Sequence, residues 1–327
     1  MSAFNRFGRR VAHAIVVAAL LTAPWVSAAD FPQRPVKVIV GAAAGSSGDV
    51  LGRIVADQLT STWKQQTVVE NRPGAGGVIA IQALLSAPQD GYTLMVSAGS
   101  YLVITPFTQK NMPYDVERDI TPIAFLAEVP LVFALRASHP AKSLKDFIAF
   151  AKANPGKISY GANTPGTFPH MATYYLGTQA GIDITYVPYK GSAAAIQDVM
   201  GDRLDMVVEG VSALIGAIKG GTLRPIAVST VRRLPPLPDV PAAGELVPGY
   251  SAVGFFSLIG GAKLPDSIVK SVNEDVRQVL ARPDVVTKLG DLGNYPQLLS
   301  PSELAATLRR EREIWGPVIK RMGFAPQ

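Results

Sequence analysis

The residues most able to do chemistry in this sequence lie in small polar loops that follow apolar, strand-like runs. The first loop is "GAAAGSSGD", from Gly41 to Asp49, which separates "VKVIV" from the helical pattern "VLGRIVADQL". Backbone N–H groups at the start of a helix bind anions, and small residues let an anion approach them closely. We therefore predict an anion site in this loop, formed by Gly45, Ser46, Ser47, Gly48 and Asp49.

The type of anion is limited by what the first loop lacks. No Lys-Ser or Lys-Thr pair follows it, so it is not a Walker phosphate loop, and its glycines do not have the G-x-G-x-x-G spacing. Asp49 is expected to cap the helix and could also accept a hydrogen bond from a ligand amine or hydroxyl. An ordinary strand-to-helix turn without a ligand is the alternative interpretation.

A second loop, "GANTPGTFPHM", has the same order of strand end, small polar residues and helix start. The two loops could face each other across a cleft and hold the two ends of one ligand. Amide and hydroxyl donors are expected from Asn163, Thr164, Gly166 and Thr167, with the ring of Phe168 as an apolar surface. A purely structural turn is again the alternative.

Two further strand ends belong to the predicted cleft, because ligands of open α/β sheets bind beyond the carboxyl ends of the strands. One is the end of "YTLMVSA", which contributes Ser97, Ala98, Gly99 and Ser100, followed by Tyr101. The other is Glu209, at the end of the apolar run "LDMVVE". A buried carboxylate needs partners, so Glu209 is either satisfied by backbone donors or available to a ligand hydroxyl or amine. Lys190 could pair with an anion, but an exposed lysine at a strand end is the favoured interpretation.

Catalytic constellations are hard to assemble from this composition. The chain has no cysteine, which excludes disulfides, thiolate metal sites and cysteine nucleophiles. Beyond residue 29 the histidines are His139, expected at the surface, and His170, expected to cap or pack in the first turn of its helix. No G-x-S-x-G or H-E-x-x-H motif and no metal-ligand spacing is present. We expect no catalytic residues, no metal and no cofactor.

The N-terminus predicts export. Arg6, Arg9 and Arg10 precede an apolar run that ends in "SAA", and this pattern is typical of a secretory signal peptide of residues 1–29. Its removal lowers the formal charge from +6 to +3, since three arginines are lost. The remaining charges form no basic block, which argues against nucleic-acid binding, and a mild positive balance suits anionic small molecules. We expect a periplasmic protein.

The elements that must position these loops alternate in β-strand and α-helix patterns, which predicts an α/β fold with parallel strands. The pattern restarts after "ITPIAFLAEVPLVFALRA", and a proline-rich crossover runs from Arg232 to Gly249. Too few elements follow it to form a third domain, so the C-terminal part should return to the first. The predicted units are 30–128 with 250–327 as the first lobe, and 129–249 as the second.

Five motifs in this order resemble those of the solute-binding proteins of tripartite tricarboxylate transporters, the Bug family. They are "VENRPGAGG", "DGYTL", "MPYDVERDITPIA", "VPYKGSAAAIQDVMGDRLDM" and the first loop with its final Gly-x-x-x-Asp. The resemblance covers essentially the whole chain after the signal peptide. In two respects the sequence departs from the family: the first loop lacks the usual phenylalanine and prolines, and Phe255 and Phe256 replace a common tryptophan.

The resemblance implies a two-lobed periplasmic binding protein of the type II-like class, each lobe a mixed or mostly parallel sheet flanked by helices. It implies capture of a small organic carboxylate in the cleft between the lobes, held largely by backbone amides. The contacts carried over fall on Gly45 to Asp49, Ser97 to Ser100, Asn163 to Thr167 and Glu209. It also implies a monomer that docks transiently on the membrane permease subunits of the transporter.

Two other functions fit the same residues. The closed protein could dock on the sensor kinase of a two-component system and report the presence of the ligand. A secreted hydrolase is a more distant alternative, and it would require His170, the one histidine near the predicted cleft, to take part in turnover.

Overall fold

The computed structural model describes residues 31–321. The predicted signal peptide falls outside this range. Within it, no helix combines the length and the apolar character that a membrane crossing needs.

The described residues contain nine strands joined into one continuous sheet, in the order β2-β1-β3-β9-β4-β7-β5-β6, with β8 also paired to β4. The strands are β1 (Val36–Val40), β2 (Thr67–Asn71), β3 (Thr93–Ala98), β4 (Ile120–Arg136), β5 (Ser159–Ala162), β6 (Thr185–Pro188), β7 (Met206–Gly210), β8 (Leu223–Val228) and β9 (Val253–Gly261). β1 pairs in parallel with β2 and β3, and β5 pairs in parallel with β6 and β7.

The helices cover both halves of the sheet. They are α1 (Ser47–Trp63), α2 (Val78–Ser86), α3 (Gly99–Val103), α4 (Thr105–Thr108), α5 (Val116–Asp119), α6 (Leu144–Ala153), α7 (Phe168–Ala180), α8 (Ser192–Met200), α9 (Val211–Lys219), α10 (Ala243–Leu246), α11 (Asp266–Ala281), α12 (Pro283–Asp291) and α13 (Pro301–Arg321). A single 3₁₀ turn, Ala75–Gly77, precedes α2.

The long strand β4 carries the chain through both halves of the molecule. From Ile120 to Pro130 it pairs antiparallel with β9, and from Leu131 to Arg136 it pairs antiparallel with β7 and β8. The first half of β4 therefore lies with β1, β2, β3 and β9, and the second half lies with β5 to β8. The continuous sheet thus has one mixed part in each half of the molecule. The predicted two-lobed α/β fold with mixed sheets is confirmed.

Helix α1 shows how the sequence builds the first lobe. Leu51, Val55 and Leu59 recur four residues apart, which places them on one face of the helix. All three are buried against the strands and against the apolar face of α11. Burying one such side chain contributes roughly 1.5–3 kcal/mol, so this face fixes α1, and with it the loop before α1, on the sheet.

Helix starts follow the expected capping chemistry. At the start of α6 the Ser143 hydroxyl accepts from the Asp146 N–H at 3.1 Å. At the start of α13 the Ser300 hydroxyl accepts from the Glu303 N–H at 3.3 Å, while the Glu303 carboxylate accepts from the Ser300 N–H at 2.8 Å. The pair at α13 is a complete capping box, whereas at α6 the Asp146 carboxylate accepts from the Lys142 N–H instead of the Ser143 N–H. The proline-rich crossover is not extended throughout: before α10 the Leu237 N–H donates to the Leu234 carbonyl at 2.9 Å and the Val240 N–H donates to the Leu237 carbonyl at 3.1 Å, which forms two tight turns.

One prediction about a histidine is wrong. His139 is not at the surface but fully buried, with its ring packed against Phe147 and Phe150. Its Nδ1 accepts from the Ala141 N–H at 3.1 Å, and its carbonyl accepts from Arg224. The turn "ASHPAKS" folds back under α6, and this long-range contact is not visible in a local pattern. Burial lowers the pKa of His139.

The two chain segments that connect the lobes, at Leu131 and at Ala252, are both hydrogen-bonded to Ser229. The Leu131 N–H donates to the Ser229 hydroxyl at 3.0 Å, and the Ser229 N–H donates to the Leu131 carbonyl at 2.9 Å. The Ala252 N–H in turn donates to the Ser229 carbonyl at 2.9 Å. Ser229 is completely buried, and its hydrogen bonds join both segments at the place where they leave one lobe for the other.

Candidate functional site

A cavity lies between the two lobes, at the carboxyl ends of the strands that precede the predicted loops. The space within it that is open to water-sized molecules is about 50 Å³. It is lined by Ala42, Ser46, Gly48, Ala98, Ser100, Tyr101, Val129, Leu131, Asn163, Thr167, Phe168, Pro169, Glu209, Gly254, Phe255 and Phe256. Both lobes and both connecting strands contribute, and this space is called the cleft below.

The first loop is closed by internal hydrogen bonds. Ser46, and not Asp49 as predicted, is the N-cap residue of α1, and its hydroxyl accepts from the Asp49 N–H at 3.4 Å. The same hydroxyl donates to the Ala43 carbonyl at 2.7 Å. The cap lies one turn earlier than expected because the helix already begins at Ser47.

Asp49 organises the first loop from the inside. Its carboxylate accepts from the Gly45 N–H at 2.9 Å and from the Asn71 side chain at 2.9 Å, and it pairs with Arg53 at 3.0 Å. Burial alone would favour the neutral acid, but the hydrogen bonds from Arg53, Gly45 and Asn71 outweigh it and lower the pKa of Asp49. Asp49 is therefore charged and fully engaged within the loop, and its carboxylate does not line the cleft.

The second loop uses a histidine for the same purpose. The Gly166 N–H donates to Nδ1 of His170 at 3.1 Å, and the Thr167 hydroxyl donates to the Thr164 carbonyl at 2.8 Å. The His170 ring stacks on Tyr186 with the ring centroids 4.1 Å apart. Burial lowers the pKa of His170 to about 4, so the ring is neutral at pH 7 and able to accept. His170 packs and holds the loop, as predicted, and it does not line the cleft.

The strand end after β3 forms one wall of the cleft with aromatic support. Tyr101 lines the cleft, and its hydroxyl donates to the Gly41 carbonyl at 2.7 Å, which ties this wall to the first loop. The ring of Phe255 covers Gly99 so closely that a Cβ there would lie 2.3 Å from it. Ser97 and Gly99 thus lie behind the wall, whereas Ala98 and Ser100 face the cleft.

Glu209 is the single carboxylate among the residues that line the cleft. Its side chain is 5% exposed, and its oxygens accept from the Gly210 N–H at 2.8 Å and from Nδ2 of Asn163 at 2.9 Å. Burial raises the pKa of Glu209, although these two hydrogen bonds and the nearby hydroxyls of Ser192 and Ser47 oppose the rise. A buried carboxylate that touches the cleft is the strongest polar feature of the site.

Five helices begin at or beside the cleft: α1, α3, α7, α8 and α9. The first N–H groups of a helix have no partner within that helix and carry partial positive charge. Residues at or next to these starts line the cleft, such as Gly48 in α1, Ser100 in α3 and Phe168 in α7. Gly210, the N-cap of α9, donates to Glu209. Because the described lining contains no lysine, arginine or histidine, an anion there would be held by backbone dipoles.

The structure brings only part of the predicted set to the cleft. Ser46, Gly48, Ala98, Ser100, Asn163, Thr167, Phe168 and Glu209 line it, while Gly45, Ser47, Asp49, Ser97, Gly99, Thr164 and Gly166 support it from behind. Lys190 is exposed and outside it, as expected. The lining residues that were not predicted from the sequence are Val129, Leu131, Pro169 and Gly254. Val129, Leu131 and Gly254 come from the strands that connect the lobes, and only the long apolar run of β4 hinted at them.

Among the described residues, no group of three or more histidine, cysteine, aspartate or glutamate side chains is placed to hold a metal ion.

Solved structures with this architecture are numerous. R. palustris Rpa4515 with adipate is 32% identical and superimposes with a TM-score of 0.89, covering 91% of this chain and 100% of that one. The periplasmic binding protein BugD is 27% identical with a TM-score of 0.87, covering 91% and 100%. MatC from Rhodopseudomonas palustris with bound malate is 28% identical with a TM-score of 0.82, covering 88% and 100%.

Sequence relatives agree with these structures. Protein BugT from Bordetella pertussis is 31% identical over 310 residues, which cover 94% of this chain and 95% of BugT. Residues 51–324 match the family described as the tripartite tricarboxylate transporter family receptor, TctC. With its two lobes, its backbone-lined cleft and these similarities, the chain belongs to the TctC family of solute-binding receptors, the Bug proteins.

Proposed function

We propose that this protein captures a small organic carboxylate in the cleft and delivers it to the membrane subunits of a tripartite tricarboxylate transporter. The observation that carries this proposal is the convergence of helix starts on a cavity whose described lining holds no basic side chain. Two of the related structures hold a carboxylate, adipate in Rpa4515 and malate in MatC, and they support the same class of ligand.

The contacts are proposed for the predicted residues that line the cleft. Backbone N–H groups at the starts of α1 and α7 would hold the carboxylate from opposite lobes, together with the hydroxyls of Ser46, Ser100 and Thr167. The rings of Phe168 and Phe255 would enclose the apolar body of the ligand. The residues behind the cleft would act by fixing the shape of the loops.

Binding and closure would be coupled through the two connecting segments. We take 30–128 with 250–327 as one lobe and 129–249 as the other, with the pivot near Leu131 and Ser229. The amides of the second lobe reach a ligand on the first lobe only when the cleft is closed. The ligand therefore binds the closed state more tightly and shifts the population toward it, which presents a distinct surface to the transporter.

The compartment and the assembly state follow from the same proposal. Residues 1–29 would direct export to the periplasm, where a monomer would meet the permease subunits transiently. A fusion of residues 1–29 to alkaline phosphatase, which is active only after export, tests whether this segment directs export. Uptake of a labelled ligand by cells with and without this protein tests delivery to the permease, and equal uptake would contradict it.

A matched pair of variants tests the site itself. Ala42 lines the cleft, whereas Ala44 lies in the same loop and is exposed. A carboxylate introduced by Ala42→Asp should repel a bound carboxylate and weaken its binding about tenfold or more, while Ala44→Asp should leave binding nearly unchanged.

Ligands for this comparison come from a thermal-shift screen of organic acids. A ligand at 100 times its dissociation constant adds about 2.7 kcal/mol to the stability of the protein. Small-angle scattering with a tight ligand should then show compaction. Unchanged scattering would contradict closure. Equal binding by Ala42→Asp and Ala44→Asp would contradict the location of the site.

A further inference from the structure

Glu209 gives the cleft a chemistry that a simple carboxylate receptor does not need. It is 5% exposed and lines the cleft, and it accepts from the Gly210 N–H and from Nδ2 of Asn163, with the hydroxyls of Ser47 and Ser192 also beside it. An ionised carboxylate has about four positions that accept hydrogen bonds, and only these two amide donors reach Glu209 with hydrogen-bond geometry. Burial away from water makes the remaining positions costly to leave empty.

The surroundings of Glu209 hold further oxygens without a donor. Oδ1 of Asn163 is buried and has no hydrogen-bond partner among the described residues, because the amide turns its Nδ2 toward Glu209. The hydroxyls of Ser47 and Ser192 are buried near Glu209 as well, and neither has a hydrogen-bond partner of good geometry there. This part of the cleft therefore combines unsatisfied acceptors with hydroxyl groups that can orient either way.

The charge balance of the cleft leads to the same conclusion. Each helix N-terminus acts as roughly half a positive charge, and the charge of Glu209 already offsets part of that potential. No lysine, arginine or histidine in the described lining supplies a full positive charge. A ligand that carries only carboxylate oxygens would place like charge near Glu209, which is unfavourable unless a proton is taken up.

We infer that the ligand carries a hydroxyl or ammonium group beside its carboxylate, and that this group donates a hydrogen bond to Glu209. Glu209 is then the residue that selects hydroxy- and amino-carboxylates over plain carboxylates. The inference rests on the proposed function, since it assigns the second polar group of a ligand whose carboxylate is held by the helix starts.

Matched ligands isolate this interaction. Succinate, malate and aspartate share one carbon skeleton and differ only in hydrogen, hydroxyl or ammonium at one carbon. 3-Phenylpropionate, phenyllactate and phenylalanine repeat the series with an aromatic body. Dissociation constants for all six acids would be measured by calorimetry on the wild-type protein, on Glu209→Gln and on Glu128→Gln.

The two variants are chosen to fold and to differ in one respect. In Glu209→Gln, the Asn163 amide can rotate so that its unpartnered Oδ1 accepts from the new amide group, which preserves the local network. Glu128 is a half-buried carboxylate that accepts from Gln297 at 2.7 Å and does not line the cleft. Melting temperatures confirm that both variants are folded.

In at least one series we expect the hydroxyl or ammonium member to bind the wild-type protein about tenfold or more tighter than the plain acid. Glu209→Gln should reduce that preference, most strongly for ammonium, while Glu128→Gln should retain it. The comparison of hydroxyl with ammonium shows which donor the site takes.

Four results would overturn the inference. If in both series the plain acid binds as tightly as its hydroxyl and ammonium partners, or if Glu209→Gln leaves the preference intact, the inference is wrong although the proposed function stands. If Glu128→Gln removes the preference as well, the selection does not come from Glu209. If none of the six acids binds but a plain carboxylate of the thermal-shift screen, such as adipate, does, the inference is wrong and the proposed function stands; if no acid of the screen binds either, both are contradicted.

Discussion

In each of the two loops that face the cleft, a glycine with positive φ donates its backbone N–H to a side chain four residues later. The first loop joins Gly45, with φ of 78°, to Asp49, and the second joins Gly166, with φ of 81°, to His170. The acceptor lies in the first turn of the following helix in both cases. The second loop thus repeats the geometry of the first with a different chemical group.

The difference lies in the charge of the acceptor. Asp49 is ionised and also holds Asn71 and Arg53, so the first loop is tied by several hydrogen bonds to charged groups. His170 is neutral, buried and stacked on Tyr186. The backbone requires an acceptor at this place but does not specify which one. Two lobes can therefore build equivalent cradles from residues that share no sequence pattern.

Removing the acceptor of the first loop should have the largest effect. Asp49→Ala deprives Gly45, Asn71 and Arg53 of a charged partner, and we expect a loss of about 3 kcal/mol in the free energy of unfolding. Denaturant titration measures it. Asp57→Ala, at an exposed carboxylate on the same helix, is the control and should change stability little. Equal losses in both variants would show that Asp49 does not organise the loop.

Acid should weaken the second loop before the first. The pKa of His170 is about 4 in the folded protein and about 6.5 when unfolded, so the unfolded state binds the proton more readily between these values. Its contribution to stability is therefore lost as pH falls from about 6.5 to 4, and it amounts to about 3 kcal/mol.

The matched variant for this titration is His170→Asn, which retains an acceptor but does not titrate. It should show less acid destabilisation than the wild type. Hydrogen exchange, corrected for the intrinsic effect of pH, should show loss of protection at Gly166 near pH 5 while Gly45 remains protected, since the lowered pKa of Asp49 keeps it ionised there. Simultaneous loss at both glycines would contradict the comparison.

The two glycines offer a smaller but sharper contrast. A Cβ at Gly166 would lie 2.4 Å from the hydroxyl of Thr108, whereas a Cβ at Gly45 would meet nothing within 4 Å. Both substitutions to alanine carry the strain of positive φ, about 1–2 kcal/mol, but Gly166→Ala adds the steric clash. We expect it to be more destabilising by about 2 kcal/mol in thermal unfolding. If Gly45→Ala were the more destabilising substitution, the steric clash at Gly166 would not set the difference between the two loops.

The smallest effect is expected between the loops, at Glu209. Burial raises its pKa, so its charge costs stability above the folded pKa and costs none below the unfolded pKa. Glu209→Gln without ligand should therefore be more stable than the wild type at pH 8, and this gain should vanish by pH 4. Tyr101 is the other titratable residue in the described lining, and its raised pKa keeps it neutral throughout. A gain that persists at pH 4 would contradict the assignment.

The sequence predicted the lobes and the strand-end loops because local signals define them. The period of α1, the serines that cap α6 and α13, and the return of the chain after the proline-rich crossover all appear in the order of residues. The partners of His139 and of Asn71 could not be predicted in this way. Those contacts join segments far apart in the chain, and no local pattern records them.

The cleft itself was predicted only in part for the same reason. Loop residues were identified by their type, but whether Gly48 or Ser47 faces the cavity depends on the turn of α1 relative to the other lobe. Val129 and Gly254 were missed because apolar strand residues resemble core residues until the crossing of β4 and β9 is known.

The length of β4 has a consequence for how this chain can change over evolutionary time. In the second lobe, the alternating large side chains of Leu131, Phe133 and Leu135 enter one core, and the smaller Val132 and Ala134 enter another. One residue inserted or deleted within the first half of β4 would exchange these two faces, because side chains in a strand alternate.

Such a change would force the ring of Phe133 into a space built for alanine and leave a void on the opposite face. It would also shift the pairing with β9 in the first lobe, since both lobes share this strand. Descendants of this sequence should therefore gain and lose residues in loops while keeping all 17 positions of β4.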